Sequence, residues 1–305
     1  MDLFSLPERG ATPVLRALKS VALANGSYDE GERALLRAAA SAYALDIDVD
    51  ALEPIDADSL AAALTSPEER LRTLQACMLM TVADAEVSPA EVVVLDAFRK
   101  ALGVDEPRLA VLRSIASDHK RFARLHLLRT AVGGRSQLKG ARFSDMLRVF
   151  GMLPANKQLA DKYRALALFP DGTMGREYAR YMEKNKFSWP GEKGGIPEPG
   201  LHHDFTHVLT GYDTDPLGEI EIGSFTAGMK QTDPFFFLLF VMLEFHLGLA
   251  ARPATPAFPG HYDAERAVRA HQRGVRCKRD LTDGWDWWAD MQRPVNELRA
   301  KYGIA

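Results

Sequence analysis

Apolar positions recur at helical spacing through most of this chain, and no stretch alternates apolar with polar residues for long enough to read as a strand. The pattern predicts helices over 14–23, 34–43, 71–82 and 92–102, then over 145–152, 157–168 and 173–183. In the last of these Met174, Tyr178 and Met182 stand at i, i+4 and i+8 and make one apolar stripe. The segment opened by Asp233-Pro234, PFFFLLFVMLEFHLGLA, is apolar almost all round, which predicts burial or contact with lipid. Its longest unbroken run, 235–243, is too short to span a bilayer. More helical pattern covers 258–273, and the chain closes on RPVNELRAKYGI. The fold class predicted is all-α.

Helix starts are marked by capping signatures. Asp29 with Glu32, Ser66 with Glu69 and Ser88 with Glu91 each place a capping side chain three residues before a glutamate, and Pro67 and Pro89 occupy the first helical position. The segment 24–32, ANGSYDEGE, aligns with 83–91, ADAEVSPAE, at an offset of 59 residues, each between two helical patterns. The first half therefore reads as two helix-turn-helix units stacked into one bundle. Further on, Phe169–Gly172 is a turn. Residues 187–200, with three prolines and four glycines, form a long irregular loop of the kind that serves as a lid or binding loop. Lys120, Arg121, Arg124, Arg129, Arg135, Lys139 and Arg142 crowd around Gly133-Gly134. That run reads as a solvated basic junction at 121–142, between a domain at 1–120 and one at 143–305.

Composition describes an ordinary globular chain of 305 residues, 47% hydrophobic and 26% charged. The net charge of -3 is unevenly spread: residues 1–120 hold 12 Lys and Arg against 20 Asp and Glu, and residues 121–305 hold 26 against 21. Such a split suggests modules with different partners, and the basic half favours anionic headgroups or phosphates. No arginine–aromatic module of a nucleic-acid binder is present, so nucleic acid is not an expected partner. Cys77 and Cys277 lie far apart and make neither a disulfide framework nor a cysteine metal site. MDLFSLPERGATP lacks the features of a signal or transit peptide. Three tryptophans in DLTDGWDWW anchor packing or a membrane interface.

The candidate chemistry lies in 201–219, LHHDFTHVLTGYDTDPLGE. His203 and His207, at i and i+4, share one face of a helix, and Asp204 stands beside them. Gly211 ends the helix, Asp215-Pro216 turns the chain, and Glu219 returns from the start of the next helix. Two imidazoles with one or two carboxylates suit Zn, Fe or Mn. A single pair of histidines at this spacing also arises by chance, and only the accompanying carboxylates raise it above that. Glu244 and His246 read as outer groups of such a site or as partners of each other or of an arginine. His261 and His271, being isolated, read as structural or exposed.

Two resemblances extend this. The acidic turns ANGSYDEGE and ADAEVSPAE, each between helices, resemble the tellurite-resistance TerB-like family over about residues 10–115. That resemblance implies a small helical interaction or sensing module, with Asn25, Asp29, Asp84 and Glu86 as cation ligands or simply as caps and a solvated acidic face. His203-Asp204-x-x-His207, an eleven-residue gap and then Glu219 resemble the signature of the coenzyme Q biosynthesis protein 4 family. The words GTMGREY at 172–178 and LRAKYGI at 298–304 agree with it, and the resemblance covers about 143–305. It implies an all-helical protein peripheral to the inner face of a bacterial membrane on its cytoplasmic side. His203, Asp204, His207 and Glu219 would bind a divalent metal, with Zn ahead of Fe or Mn. Its partners would be a polyprenylated quinone precursor or another isoprenoid lipid and the other ubiquinone-biosynthesis enzymes, and a homo-oligomer fits as well. Three activities follow: oxidative decarboxylation at ring carbon 1, a lipid-binding scaffold without turnover, and a metal-dependent hydrolase. The last is disfavoured because Asp204 stands where His-Glu-x-x-His has a glutamate. The apolar helix 235–249 would line a prenyl tail. An N-terminal TerB-like module departs from the ordinary family pattern.

Overall fold

In the computed structural model, which describes residues 8–118, 154–230, 233–249 and 262–304, every regular element is helical. Six helices come first: α1 (Glu8–Ala22), α2 (Glu30–Ala42), α3 (Ala57–Ala63), α4 (Pro67–Met80), α5 (Pro89–Leu102) and α6 (Leu109–Ala116). All three expected capping boxes form. Asp29 Oδ1 accepts the Glu32 N–H at 2.8 Å while Glu32 Oε2 accepts that of Asp29 at 2.9 Å, and Ser66–Glu69 and Ser88–Glu91 repeat the exchange. Each cap is worth about 1 kcal/mol, because it pairs N–H groups that have no partner within the helix. The short α3 and α6 escape the pattern. The seven residues of α3 bury only Leu60, too little periodicity to register.

Next come α7 (Lys157–Arg164), tightening into a 3₁₀ turn through Leu168, α8 (Met174–Asn185) and α9 (His202–Thr210). They are followed by α10 (Pro216–Met229), α11 (Pro234–Val241), α12 (Ala264–Val275) and α13 (Val295–Tyr302). After α11 the backbone widens into a π-helical turn, Met242–His246. The basic run around Gly133-Gly134 and the helix expected over 145–152 lie outside the described residues, as does His261. No helix among the described residues is long and apolar enough to cross a membrane.

The chain forms two compact units that do not follow chain order: Met1–Leu128 with Asp215–Val275, and Arg129–Thr214 with Arg276–Ala305. In the first, α10 to α12 share one core with the N-terminal helices; Phe235, Phe237 and Leu243 lie in the same buried cluster as Leu15, Leu36, Leu74 and Phe98. The apolar segment is therefore core. His246 donates Nε2–H to the Ala83 carbonyl at 3.1 Å and lies beside the Tyr262 ring. Glu106, Gln75, Arg108 and Asp233 form a connected network next to Phe235. Burial would raise the Glu106 carboxyl, but the Arg108 and Gln75 bonds hold it below its ordinary value. The crossing of α10 with α12 is closer than side chains permit. A Cβ on Gly274 would lie 2.0 Å from the Phe225 carbonyl oxygen, and one on Gly228 would lie 2.1 Å from that of His271.

In the second unit the expected lid is pinned. Asn156 donates its N–H to the Gly191 carbonyl at 2.7 Å, and Tyr163 Oη–H donates to Glu198 at 2.8 Å. The tryptophans pack internally. Trp285 Nε1–H, Tyr302 Oη–H and Lys301 Nζ all donate to the buried Asp290. Burial raises the Asp290 carboxyl, but these three donors outweigh it and hold it below its ordinary value.

Gly274→Ala is expected to cost about 1–3 kcal/mol in urea unfolding, because the crossing must open. Since the folded pKa of Asp290 is depressed, its contribution is present above the ordinary carboxylate range and lost as pH falls through and below it. Asp290→Asn is expected to cost about 1–3 kcal/mol at pH 7 and to flatten the stability–pH curve at acid pH.

Candidate metal centre

α9 is a short helix whose two ends are fixed from outside. The chain enters through the 3₁₀ turn Glu198–Gly200 and leaves at Gly211, where φ of +81° closes the helix and its N–H bonds the His207 carbonyl at 2.8 Å. Arg299 on α13 donates Nε–H to the Leu209 carbonyl at 2.7 Å and Nη2–H to that of Val208 at 3.4 Å. A cation on carbonyls left over at a helix C-terminus is favourable on both counts.

The two histidine rings lie 4.9 Å apart, 71° from coplanar. His207 is buried, and its Nδ1 stands 3.0 Å from the Tyr212 carbonyl. A carbonyl only accepts, so Nδ1 carries the proton and Nε2 is the nitrogen with the lone pair. His203 is partly exposed, and its Nδ1 faces Asp204 Oδ1 at 3.3 Å, which favours the same tautomer. Both imidazoles are thus oriented by an acceptor on one nitrogen, the arrangement that metal-binding histidines use. Tyr181 stacks on His207, with centroids 5.7 Å apart.

Asp204 is buried, and its negative charge reaches Tyr178. Burial first and Asp204 second push the Tyr178 hydroxyl far above its ordinary value, and among the described residues the buried Oη has no hydrogen-bond partner. Phe205, next along α9, sits in an aromatic cage: Tyr178 at 4.6 Å, Trp287 at 5.7 Å and Trp285 at 6.0 Å between centroids. Alternate faces of α9 therefore do different work, His203 and His207 presenting nitrogen and Phe205 anchoring the helix.

The structure brings His203, Asp204 and His207 together on α9. Glu219 is a half-buried residue in the first turn of α10, in the compact unit that contains the N-terminal helices. Beside His207, within the second unit, a cleft of about 590 Å³ is lined by Tyr181, Tyr212, Arg180, Lys184, Asp171 and Arg299 among others. Its charged walls are internally paired: Arg180 with Asp171 at 2.6 Å, Lys184 with Asp213 at 3.3 Å. This size is ordinary for a small-molecule site. Helical periodicity gives no sign that Tyr181, Tyr212 and Arg299 line this cleft. Arg299 stands in LRAKYGI, but only the fold reveals that it holds the end of α9. The turn residues have plain roles as well: Asp29 is an N-cap, and Asn25 and Asp84 accept the N–H of Ser27 and of Glu86, two residues on.

No family model matches the sequence, and no curated protein matches it. Among solved structures the chain is similar to one from Nostoc punctiforme named for ubiquinone biosynthesis, at 20% identity over 62% of this chain and 98% of that one, with a TM-score of 0.35. At that TM-score no residue's role carries across.

Tyr178→Phe is expected to leave thermal stability unchanged or to raise it, because it removes a buried hydroxyl with no partner next to a carboxylate. Differential scanning calorimetry checks this; a loss above about 1 kcal/mol would show that the hydroxyl is paired.

Proposed function

We propose that this protein is a metal-binding component of ubiquinone biosynthesis that handles a polyprenylated ring precursor at a membrane surface alongside the other enzymes of that pathway. The observation that carries the metal reading is the orientation of the histidines. Two imidazoles one helical turn apart each have Nδ1 turned to an acceptor, so each offers Nε2. In this reading His203 and His207 hold a divalent ion, with Zn favoured by the imidazole nitrogens and Fe or Mn compatible with them. Asp204, committed to His203 Nδ1, orients that ring and balances charge. The pathway assignment rests on the resemblance of His203-Asp204-x-x-His207, eleven residues and then Glu219 to the signature of the coenzyme Q biosynthesis protein 4 family.

Bound there, the ion would supply Lewis-acid polarisation of a ring oxygen or, if redox active, the means for oxidative loss of a ring carboxyl. The chain's own contribution is placement. Tyr181 and Tyr212 line the cleft next to His207, and Arg180 and Lys184 give it polar walls that suit the substituted ring end of a substrate.

Purified full-length protein is expected to carry roughly one divalent ion per chain by plasma mass spectrometry, and His203→Ala/His207→Ala to carry almost none. Asp204→Asn is expected to weaken metal affinity by about 10–100-fold without loss of helix content. Equal metal in the wild type and the double variant would end the metal reading. Lipid extracts of the same samples test the substrate class, with an isoprenoid ring compound expected. Metal retention without turnover on a prenylated ring acid would favour the scaffold over the enzyme.

A further inference from the structure

Two constraints act on the His207 ring, and they come from different segments of the second unit. The Tyr212 carbonyl, 3.0 Å from Nδ1, selects the nitrogen that carries the proton. One hydrogen bond does not fix the plane of the ring, because the imidazole can tilt about the Nδ1–H···O line and keep the bond. The plane matters because the Nε2 lone pair lies in it, and a tilted ring aims that pair away from an ion. The face of the ring meets Tyr181 on α8. The two planes are 25° apart with centroids at 5.7 Å, while His203 meets His207 edge-on, 71° from coplanar.

Tyr181 is itself held in place. Its ring stacks on Tyr178 at 6.3 Å and 22°, and Phe187 meets it at 5.6 Å and 66°. Phe187 reaches back because Lys186 caps α8 in the left-handed region, at φ of +55°, and the Phe187 N–H then bonds the Met182 carbonyl at 3.0 Å. A lysine is strained in that conformation, and the turn it makes sets Phe187 against Tyr181. The two constraints on His207 are also tied to each other. Asn185 donates Nδ2–H to the Tyr181 carbonyl at 2.9 Å and accepts Oγ1–H of Thr214 at 3.0 Å. The end of α8 is thereby joined to the segment that carries Tyr212.

We propose that Tyr181 is the positioning residue of the histidine centre: its ring holds the His207 imidazole in the plane that aims Nε2 at the ion. The geometry rests on the stack alone, and its consequence for an ion rests on the metal reading above. The flat ring does this work, not the hydroxyl. Phenylalanine keeps a face for the imidazole, whereas leucine fills much of the space without one. Tyr181 and His207 both line the cleft of about 590 Å³, so a ring compound entering it meets the two together. A ligand that shifts Tyr181 therefore acts on metal affinity as well, and by linkage the ion acts on the ligand.

The test compares metal-stripped full-length wild type with Tyr181→Leu and Tyr181→Phe. In protein labelled with ¹⁵N at histidine and free of metal, nuclear magnetic resonance is expected to show one His207 tautomer, protonated on Nδ1, in wild type and Tyr181→Phe, and a mixture of tautomers in Tyr181→Leu. Titration with Zn²⁺ is expected to show affinity about 10–100-fold weaker in Tyr181→Leu and within about threefold of wild type in Tyr181→Phe, at equal helix content. With Co²⁺ in place of Zn²⁺, the visible absorption should match between wild type and Tyr181→Phe and change in Tyr181→Leu. Phe187→Ala removes only the ring against Tyr181 and should move the His207 signal in the same direction by less. It decides the matter if Tyr181→Leu does not fold, and no movement there would then count against Tyr181. A wild type that binds no Zn²⁺ would end the metal reading and leave the tautomer measurement to judge Tyr181. An unchanged His207 signal in Tyr181→Leu, or Tyr181→Phe as impaired as Tyr181→Leu, would overturn the proposal.

Discussion

The backbone contact between α10 and α12 is the constraint on which the interior of the first unit depends. Gly228 and Gly274 let each helix lie against the other's carbonyls, a distance that one methyl group on either would forbid. With that crossing in place, α10 is buried nearly all round from Ile220 to Met229, and the apolar α11 fills the core next to the N-terminal helices. The glycines contribute no apolar area themselves. They let their neighbours reach interior packing density, which is where the hydrophobic stabilisation arises.

The second unit is organised by polar contacts at helix ends. Asp290 gathers Trp285, Lys301 and Tyr302, and this ties α13 to the tryptophan segment. From α13, Arg299 reaches the last carbonyls of α9. The histidine helix is thus held by its C-terminal carbonyls, by the Gly211 turn and by Phe205 in its aromatic cage. A short helix is marginal alone; these anchors give His203 and His207 a fixed backbone to project from.

Local devices were legible because their physics is local. The capping boxes at Asp29, Ser66 and Ser88 depend on two side chains three residues apart and form as read. Thr173, Asp215 and Gly211 likewise start or stop helices where expected. What could not be read was partnership. The apolar run after Pro234 announces that it must be covered, yet nothing in it says that Leu74 and Phe98 do the covering rather than a lipid. For the same reason the compact units cut across chain order, with residues 215–275 packed with the first helices. Contact between segments far apart in sequence depends on complementary shape, and glycines such as Gly228 and Gly274 carry no periodic signal.

The candidate centre divides in the same way. The sequence by itself determined the all-α class, the helix starts, and the placing of His203 and His207 on one helical face, since each follows from spacing along a single segment. Only the tertiary structure decided which ring nitrogen each histidine offers, because the Tyr212 carbonyl and Asp204 Oδ1 select it through space. It also decided that Tyr181 lies on the face of His207, because that contact requires α8 and α9, separate segments of the chain, to pack together.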